Sequence, residues 1–178
     1  KVLQSDQFKL LFREYANQGE GVIKITPCTM VFIPGDPDEN PDSEKRAAPI
    51  ILQAPQGALL KFDEALNLKR AKIGRLVGGR FVGRITVFSR GVKPGDEDDL
   101  TFVTEDLQLS ETEVHTNRNV EFRYGPHYGS GREMRVKLLQ GKDGDASRSG
   151  GPKVGGVESL QIKHLEQFHL EVPNDEKS

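Results

Sequence analysis

The chain has 178 residues, of which 35% are hydrophobic, and it carries 25 Lys and Arg against 27 Asp and Glu. A formal net charge of −2, with basic residues scattered along the chain, argues against a nucleic-acid-binding protein, which normally has a strongly basic face. The length suits one domain, and we predict a single domain over residues 1–178. The lone cysteine, Cys28, excludes an intrachain disulfide and a cysteine-based zinc site.

The first third of the chain predicts strands separated by a polar loop. Gln7–Tyr15 fits a strand better than a helix, and the run from Val22 alternates apolar and polar residues with a period of two. Pro27 lies inside that run, and because proline cannot donate to a ladder we expect a bulge or an edge strand there. Residues 35–49 are polar and broken by prolines, which predicts an exposed loop.

The middle of the chain predicts a strand bent by glycines. The string "GGRFVG" suggests a phosphate loop, but no Gly-Lys-Ser/Thr follows it and no helical pattern begins after it. Instead Phe81, Ile85 and Val87 alternate with polar residues, as in a strand with one buried face. The arginines of this segment either bind phosphate on a head group or, as we prefer, face outward from a strand: Arg75, Arg80, Arg84 and Arg90.

The last part predicts further strands. Four candidates lie between residues 100 and 140, a Gly/Ser-rich loop covers 141–156, and alternation returns at 157–172. The segment "HTNRNVEFRYGPHYGSGREMRVKL" has two histidines and a Gly-x-Gly, but we interpret it as strand 119–124, a "GPHYGSG" connection with His127 at its exposed tip, and strand 133–139. No convincing amphipathic helix of twelve residues occurs, so the chain is predicted to be all-β.

No metal, cofactor or catalytic site is predicted. His115 and His127 lie twelve residues apart, and His164 and His169 lie five apart, so neither pair has the spacing of two ligands on one strand or helix face. There is no Gly-x-Ser-x-Gly elbow. The acidic residues lie mostly in apparent turns, and nothing selects two of them as a catalytic pair.

Two blocks of the chain share a pattern. Residues 51–91 and 101–141 each run strand, short turn, strand, turn and then a glycine-bearing alternating strand. A period of roughly fifty residues is typical of stacked β units, although two unrelated β-meanders could look alike by chance.

The second block resembles the repeat unit of the lipopolysaccharide-transport proteins of the OstA/LptA/LptC type, and within them LptC most. The resemblance covers about residues 100–139 well and 50–91 loosely. The matching positions are Thr104, Asp106, Leu107, Thr116, Asn119, Val120, Gly129, Gly131 and Met134.

This resemblance implies an open β-jellyroll, or β-taco: two facing antiparallel sheets of stacked strand repeats around an apolar groove. It implies a non-enzymatic protein of the periplasm or cell envelope that binds the acyl chains of lipopolysaccharide or a similar glycolipid. Self-association or pairing with another jellyroll through edge strands is implied as well. The groove-lining candidates are Phe81, Ile85, Val87, Val120, Phe122, Tyr124, Met134, Val136 and Leu138.

Three alternatives stay open. In the first, the inward-facing residues only fill a hydrophobic core and line no ligand groove, because a closed jellyroll would have the same alternation. The chain could be a β-sandwich interaction or structural module of a larger envelope protein without a lipid ligand. A carbohydrate-active jellyroll enzyme ranks last, because it would need two carboxylates about 5–10 Å apart in a cleft.

Overall fold

The computed structural model describes residues 1–4, 8–33, 49–64, 74–90, 99–140 and 154–172. This part contains strands and no helix, so the all-β prediction is confirmed. The predicted loop at 35–49 lies outside the described residues except for Pro49, and that at 141–156 does so except for 154–156, which begin a strand. The strands are β1 (Val2–Gln4), β2 (Phe8–Gly19), β3 (Val22–Phe32), β4 (Ile50–Ala54), β5 (Ala58–Phe62), β6 (Leu76–Ser89), β7 (Leu100–Ser110), β8 (Glu113–Tyr124), β9 (His127–Gln140) and β10 (Val154–His169).

All strand pairs are antiparallel and belong to one sheet, in the order β1-β2-β3-β4-β6-β7-β8-β9-β10. β5 continues β4 in the same direction, because both pair with β3 and with β6. The two similar sequence blocks form β4–β6 and β7–β9. Nearly every strand therefore pairs with its neighbour in sequence, as expected for short connections.

A line of irregular positions, which we call the crease, crosses the sheet perpendicular to the strands. The ladder between β6 and β7 shifts after Phe81, that between β7 and β8 after Thr104, and that between β8 and β9 after Thr116. The remaining crease positions are Pro27 in β3, Pro55–Gly57 between β4 and β5, Gly83 in β6 (φ 70°), Asp106 in β7 (φ 51°) and Glu133 in β9 (φ 58°). Such bulges bend strands and increase their twist.

The crease divides the sheet into two halves that cover each other. We name them the Val120 half and the Val136 half after an inner residue of each. Leu10 and Met30 in the first, and Leu60 and Leu76 in the second, are at most 1% exposed and belong to one hydrophobic cluster. A side chain on a single uncovered sheet cannot be buried so completely, so the halves face each other across an apolar core, consistent with a jellyroll or taco-type fold.

Side-chain hydrogen bonds fasten the crease where the ladders are interrupted. The hydroxyl of Thr104 donates to the carbonyl oxygen of Asn119 (2.8 Å) and that of Thr116 to the carbonyl oxygen of Glu105 (2.9 Å). Thr104 and Thr116 are buried, with 3% and 1% exposure. These bonds replace ladder bonds that the bulges remove, which satisfies the general requirement for buried polar groups.

Asp106 adds a second fastening at the same place. Its Oδ1 accepts a hydrogen bond from the backbone N–H of Gly83 (3.2 Å), and its Oδ2 accepts one from the Arg118 guanidinium (3.2 Å). Asp106 thus joins β6 to β8 across β7. Together with Thr104, Thr116 and Asn119, it places four of the residues that carried the family resemblance at the crease.

The predicted "GPHYGSG" connection was too long. β8 and β9 are joined by a turn at Gly125–Pro126, and both later glycines lie inside β9. A Cβ at Gly129 would lie 2.7 Å from Cζ of Phe122, and one at Gly131 would lie 2.5 Å from Cγ2 of Ile162. The glycines therefore leave room for apolar side chains of the adjacent strands, a role that β-strand glycines commonly have.

Candidate functional site: the apolar mouth

The nine predicted groove residues lie on the inner face, and they come from both halves of the sheet. Directly opposed residues of antiparallel strands point to one face, so Phe122 shares a face with the buried Phe102 across the ladder, and Val136 shares one with Val114. Five candidates belong to the Val120 half: Ile85, Val87, Val120, Phe122 and Tyr124. Four belong to the Val136 half: Phe81, Met134, Val136 and Leu138.

The candidates next to the crease are sealed core. Phe81, Ile85 and Val120 are 0% exposed, and Met134 and Val136 are 4% and 8% exposed. A side chain without exposed surface cannot contact a ligand in this conformation. These five residues contribute to folding stability through burial, as the core-only alternative expects.

The candidates farther from the crease are more exposed. Val87, Phe122 and Leu138 are partly buried against the core, and Tyr124 at the end of β8 is 46% exposed. This exposure is confined to part of the inner face, because Phe8, Phe62 and Leu76 also lie several residues from the crease and are only 0%, 1% and 1% exposed.

The inner face also becomes exposed toward β10. Leu160 and Ile162 oppose Val136 and Met134 in the ladder, while Leu165 and Phe168 oppose Gly131 and Gly129, so these four side chains continue the inner face. Leu160, Leu165 and Phe168 are 42%, 54% and 50% exposed, and Ile162 is partly buried. We call this set the apolar mouth, and it consists of Phe122, Leu138, Leu160, Ile162, Leu165 and Phe168.

The Val120 side of the mouth is an aromatic surface. The rings of Phe122 and Phe168 lie 6.2 Å apart between centroids with an interplanar angle of 31°. Gly129 lies between them in the ladder, opposite Phe122 on one side and Phe168 on the other. The missing side chain allows both rings to lie over the backbone of β9, which makes this part of the surface broad and apolar.

Ion pairs connect β10 to β9 beside the mouth. Arg132 Nε lies 2.9 Å from Glu166 Oε1, Lys163 Nζ lies 2.9 Å from Glu133 Oε2, and His164 Nε2 lies 3.3 Å from Glu133 Oε1. The hydrogen bond from Lys163 lowers the pKa of the Glu133 carboxyl, and the charges of Lys163 and His164 lower it further. Each of these exposed ion pairs adds little stability. Together they favour the observed register of β10 against β9, which is the only strand that β10 pairs with in the described part of the chain.

Both ends of the sheet are open. β10 pairs only with β9, and β2 beyond Phe12 pairs only with β3, within the described part of the chain. Residues Arg13–Gly19 of β2 are all exposed. Each edge offers unpaired backbone groups to a strand of another chain.

The described residues hold no group of three or more His, Cys, Asp and Glu that could bind a metal ion. His115 and His164 each lie beside a single glutamate. Arg75, Arg80, Arg84 and Arg90 are exposed, in line with the interpretation that they face outward. In the same described ranges, no helix has the length and apolarity that a membrane crossing requires.

The β10 residues of the mouth were not among the predicted groove residues. The sequence shows that Leu160 and Ile162, and likewise Phe168 and Leu170, are separated by single polar residues, as in a strand with one apolar face. The spacing of inward residues changes from two to three between Ile162 and Leu165, where β10 passes the crease, so residues 160–168 do not show the pattern of one regular amphipathic strand. Recognising a bulge at that point would have assigned the residues on both sides of it to the same inner face.

Comparison with protein-family models and with curated protein sequences gives no match for this chain. The resemblance to the lipopolysaccharide-transport proteins therefore depends on the residues quoted for it.

Proposed function

We propose that this chain is a non-enzymatic cell-envelope protein, similar to the OstA/LptA/LptC proteins, that binds acyl chains of a lipid or lipopolysaccharide-like glycolipid at the apolar mouth. The observation that carries the proposal is the exposure of inner-face apolar side chains at β10, while Phe81, Ile85 and Val120 on the same face are fully buried. Its place of action would be the periplasm or another compartment of the cell envelope.

The mouth matches an acyl chain in chemistry. Leu160, Leu165 and Phe168 leave about half of each side chain in water, and covering apolar surface contributes roughly 25 cal/mol per Å². An acyl chain is long, flexible and apolar, so it can follow the line where the two halves diverge without needing a closed cavity. Each methylene removed from water contributes roughly 0.8 kcal/mol.

The open edges favour a second part of the proposal, which is bridging by strand pairing. A partner jellyroll or another copy of the chain that adds a strand to β10 would extend the sheet and lengthen the apolar inner face. The exposed apolar side chains lie on this edge strand, so one contact would pair backbone groups and continue the surface for acyl chains.

The sealed centre supports a second candidate, an interaction or structural module without a lipid ligand. Phe81, Ile85 and Val120 are fully buried, so no continuous groove runs through the described part of the molecule. In that case the mouth would be covered by a protein partner, and the purified protein would bind no acyl chain.

Lipid binding separates the two candidates. We expect native mass spectrometry of the purified protein, followed by solvent extraction, to reveal bound acyl lipids, and the delipidated protein to bind the fluorescent fatty acid cis-parinaric acid. Leu165→Ser should weaken that binding about fivefold, because half of a leucine contributes roughly 1 kcal/mol when it is covered.

Leu59→Ser is the matched control. Leu59 is also a strand leucine with substantial exposure (37%), but it lies on the outer face of β5, between buried neighbours that point inward. Wild-type protein that binds neither extracted lipid nor cis-parinaric acid would contradict the proposal. Equal effects of Leu59→Ser and Leu165→Ser would show that binding does not occur at the mouth.

A further inference from the structure

The outer face of the sheet, opposite the apolar mouth, has a cleft of about 390 Å³ across β7–β10 that is lined by both polar and apolar residues. The ladder places its side chains in two neighbouring rows, in which Thr101 opposes Arg123 and Arg123 opposes Tyr128, while Glu121 opposes Ser130. The residues that line the cleft are Thr101, Val103, Glu121, Phe122, Arg123, Tyr128, Gly129, Ser130 and Gln167.

One wall of the cleft is held in place by stacking. The guanidinium carbon of Arg123 lies 5.5 Å from the centre of the Tyr128 ring. The imidazole of His169 stacks on the same tyrosine at 4.6 Å between centroids and an interplanar angle of 17°. Because Tyr128 is packed between its two cross-strand neighbours, a ligand that contacts it would lose little side-chain entropy on binding.

The other polar groups of the cleft are available to a ligand. Within the described ranges, Thr101, Glu121, Ser130 and Gln167 form no hydrogen bond through their side chains to another residue. Together they offer two hydroxyls, a carboxylate acceptor and an amide that both donates and accepts. Arg123 supplies further donors, so donors and acceptors are mixed within one small cleft.

This mixture favours a neutral, hydroxyl-rich ligand. The opposite charges of Glu121 and Arg123 cancel, which disfavours both a polyanion and a strongly cationic ligand. A sugar ring presents adjacent hydroxyls that donate and accept, together with C–H surface that can lie against an aromatic side chain. The volume is near the lower limit of ligand sites, which suits a ligand of one or two rings.

We propose that the cleft binds a neutral sugar ring of a glycan, with Tyr128 as the contact surface and Glu121, Ser130 and Gln167 as hydrogen-bonding partners. Glu121 is the only carboxylate among the residues that line the cleft. Glycoside hydrolysis usually requires two carboxylates, so the site binds the sugar without cleaving it. The polar residues of the site lie on the opposite face of the sheet from the apolar mouth, and Phe122 is the one residue that the mouth and the cleft lining share. Sugar binding through these polar residues therefore does not require the proposed lipid binding.

The test is saturation-transfer NMR on the full chain with glucose, galactose, N-acetylglucosamine and maltose as neutral probes and glucose 6-phosphate as an anionic probe. We expect transfer to at least one neutral sugar. Tyr128→Ala should raise its Kd about fivefold, and Glu121→Gln should raise it as well. Tyr15→Ala is the matched control, because Tyr15 and Tyr128 are both 40% exposed and Tyr15 lies in β2 at the other end of the sheet.

The circular dichroism spectrum and melting temperature of each variant establish that it is folded. If Tyr128→Ala does not fold, the sugar affinity of Glu121→Gln tests the site instead. Absence of transfer to every neutral sugar would overturn the inference, as would equal losses in Tyr128→Ala and Tyr15→Ala. Binding of glucose 6-phosphate without binding of any neutral sugar would also overturn the inference and would indicate an anion site. Loss of cis-parinaric acid binding in Leu165→Ser with unchanged sugar binding would show that the two sites are separate.

Discussion

The hydroxyl of Thr116 provides the sharpest test of how the crease is held. Thr116 is 1% exposed, and its Oγ1 donates to the carbonyl oxygen of Glu105 (2.9 Å) and accepts from the backbone N–H of Arg118 (3.1 Å). The ladder between β7 and β8 is interrupted from Thr104 to Gln108, so no ladder bond from β8 is available to replace these two. Thr116→Val keeps the shape of the side chain and removes both bonds.

The expected cost follows from the groups left without partners. A buried donor or acceptor that loses its partner costs roughly 1–3 kcal/mol. Both bonds of Thr116 are part-buried, and water can partly compensate, so we expect Thr116→Val to lower the free energy of unfolding by about 2 kcal/mol. For a chain of this size that corresponds to a fall in Tm of roughly 4–8 °C.

The measurement is urea unfolding followed by far-ultraviolet circular dichroism, because the chain has no tryptophan for fluorescence. Thr86→Val is the control. Thr86 lies on β6 with partial exposure and forms no side-chain hydrogen bond to another described residue. Both substitutions keep a β-branched residue in a strand, so differences in strand propensity are small, and Thr86→Val should change stability by less than about 0.5 kcal/mol.

Two outcomes would refute this reasoning. One is a loss of less than about 0.5 kcal/mol in Thr116→Val, which would mean that the crease does not depend on the hydroxyl. The other is an equal loss in Thr86→Val, which would show that any Thr→Val change in this sheet has the same cost. A changed slope with urea would instead indicate that the folded or unfolded state had altered its compactness.

Three further predictions concern packing and burial. Phe81→Ala, at a site that is 0% exposed, should cost about 3–5 kcal/mol in urea unfolding, whereas Phe168→Ala, at a site 50% exposed, should cost clearly less. Gly131→Ala would place a Cβ 2.5 Å from Ile162 Cγ2, so amide hydrogen exchange should rise in β10 and stay unchanged in β4; equal exchange in both would contradict the close packing. Burial raises the pKa of the Cys28 thiol from 9.0 to about 12. Because the unfolded chain then loses the thiol proton at a lower pH than the folded chain, the free energy of unfolding should fall as pH rises from about 9 to about 12. The expected slope is up to about 1.4 kcal/mol per pH unit. Cys28→Ala should reduce that slope, and an unchanged slope would contradict it.

Much of the local structure could be predicted from the sequence. The alternation from Phe81 to Val87 placed those residues on one inner face. The bulge or edge strand expected at Pro27 was wrong: the ladder of β3 with β2 keeps its register there, β3 has partners on both sides, and the interruption lies opposite it, at Pro55–Gly57. The length of the β8–β9 connection could not be predicted, because glycines such as Gly129 and Gly131 are as typical of turns as of close-packed strand positions. Only the neighbouring strands show that these glycines accommodate Phe122 and Ile162.

By itself the sequence determined the all-β character of the protein and the inner face of most strands, because side-chain direction in a strand alternates residue by residue and depends on local order alone. It did not determine which inner residues are core and which form a site. Val120 and Phe122 belong to the same alternation, yet Val120 is fully buried and Phe122 is partly exposed. The difference depends on distance from the crease and from β10, since burial requires a second layer from a distant part of the chain. Tertiary structure alone decided where the two halves separate, and so where the apolar mouth lies.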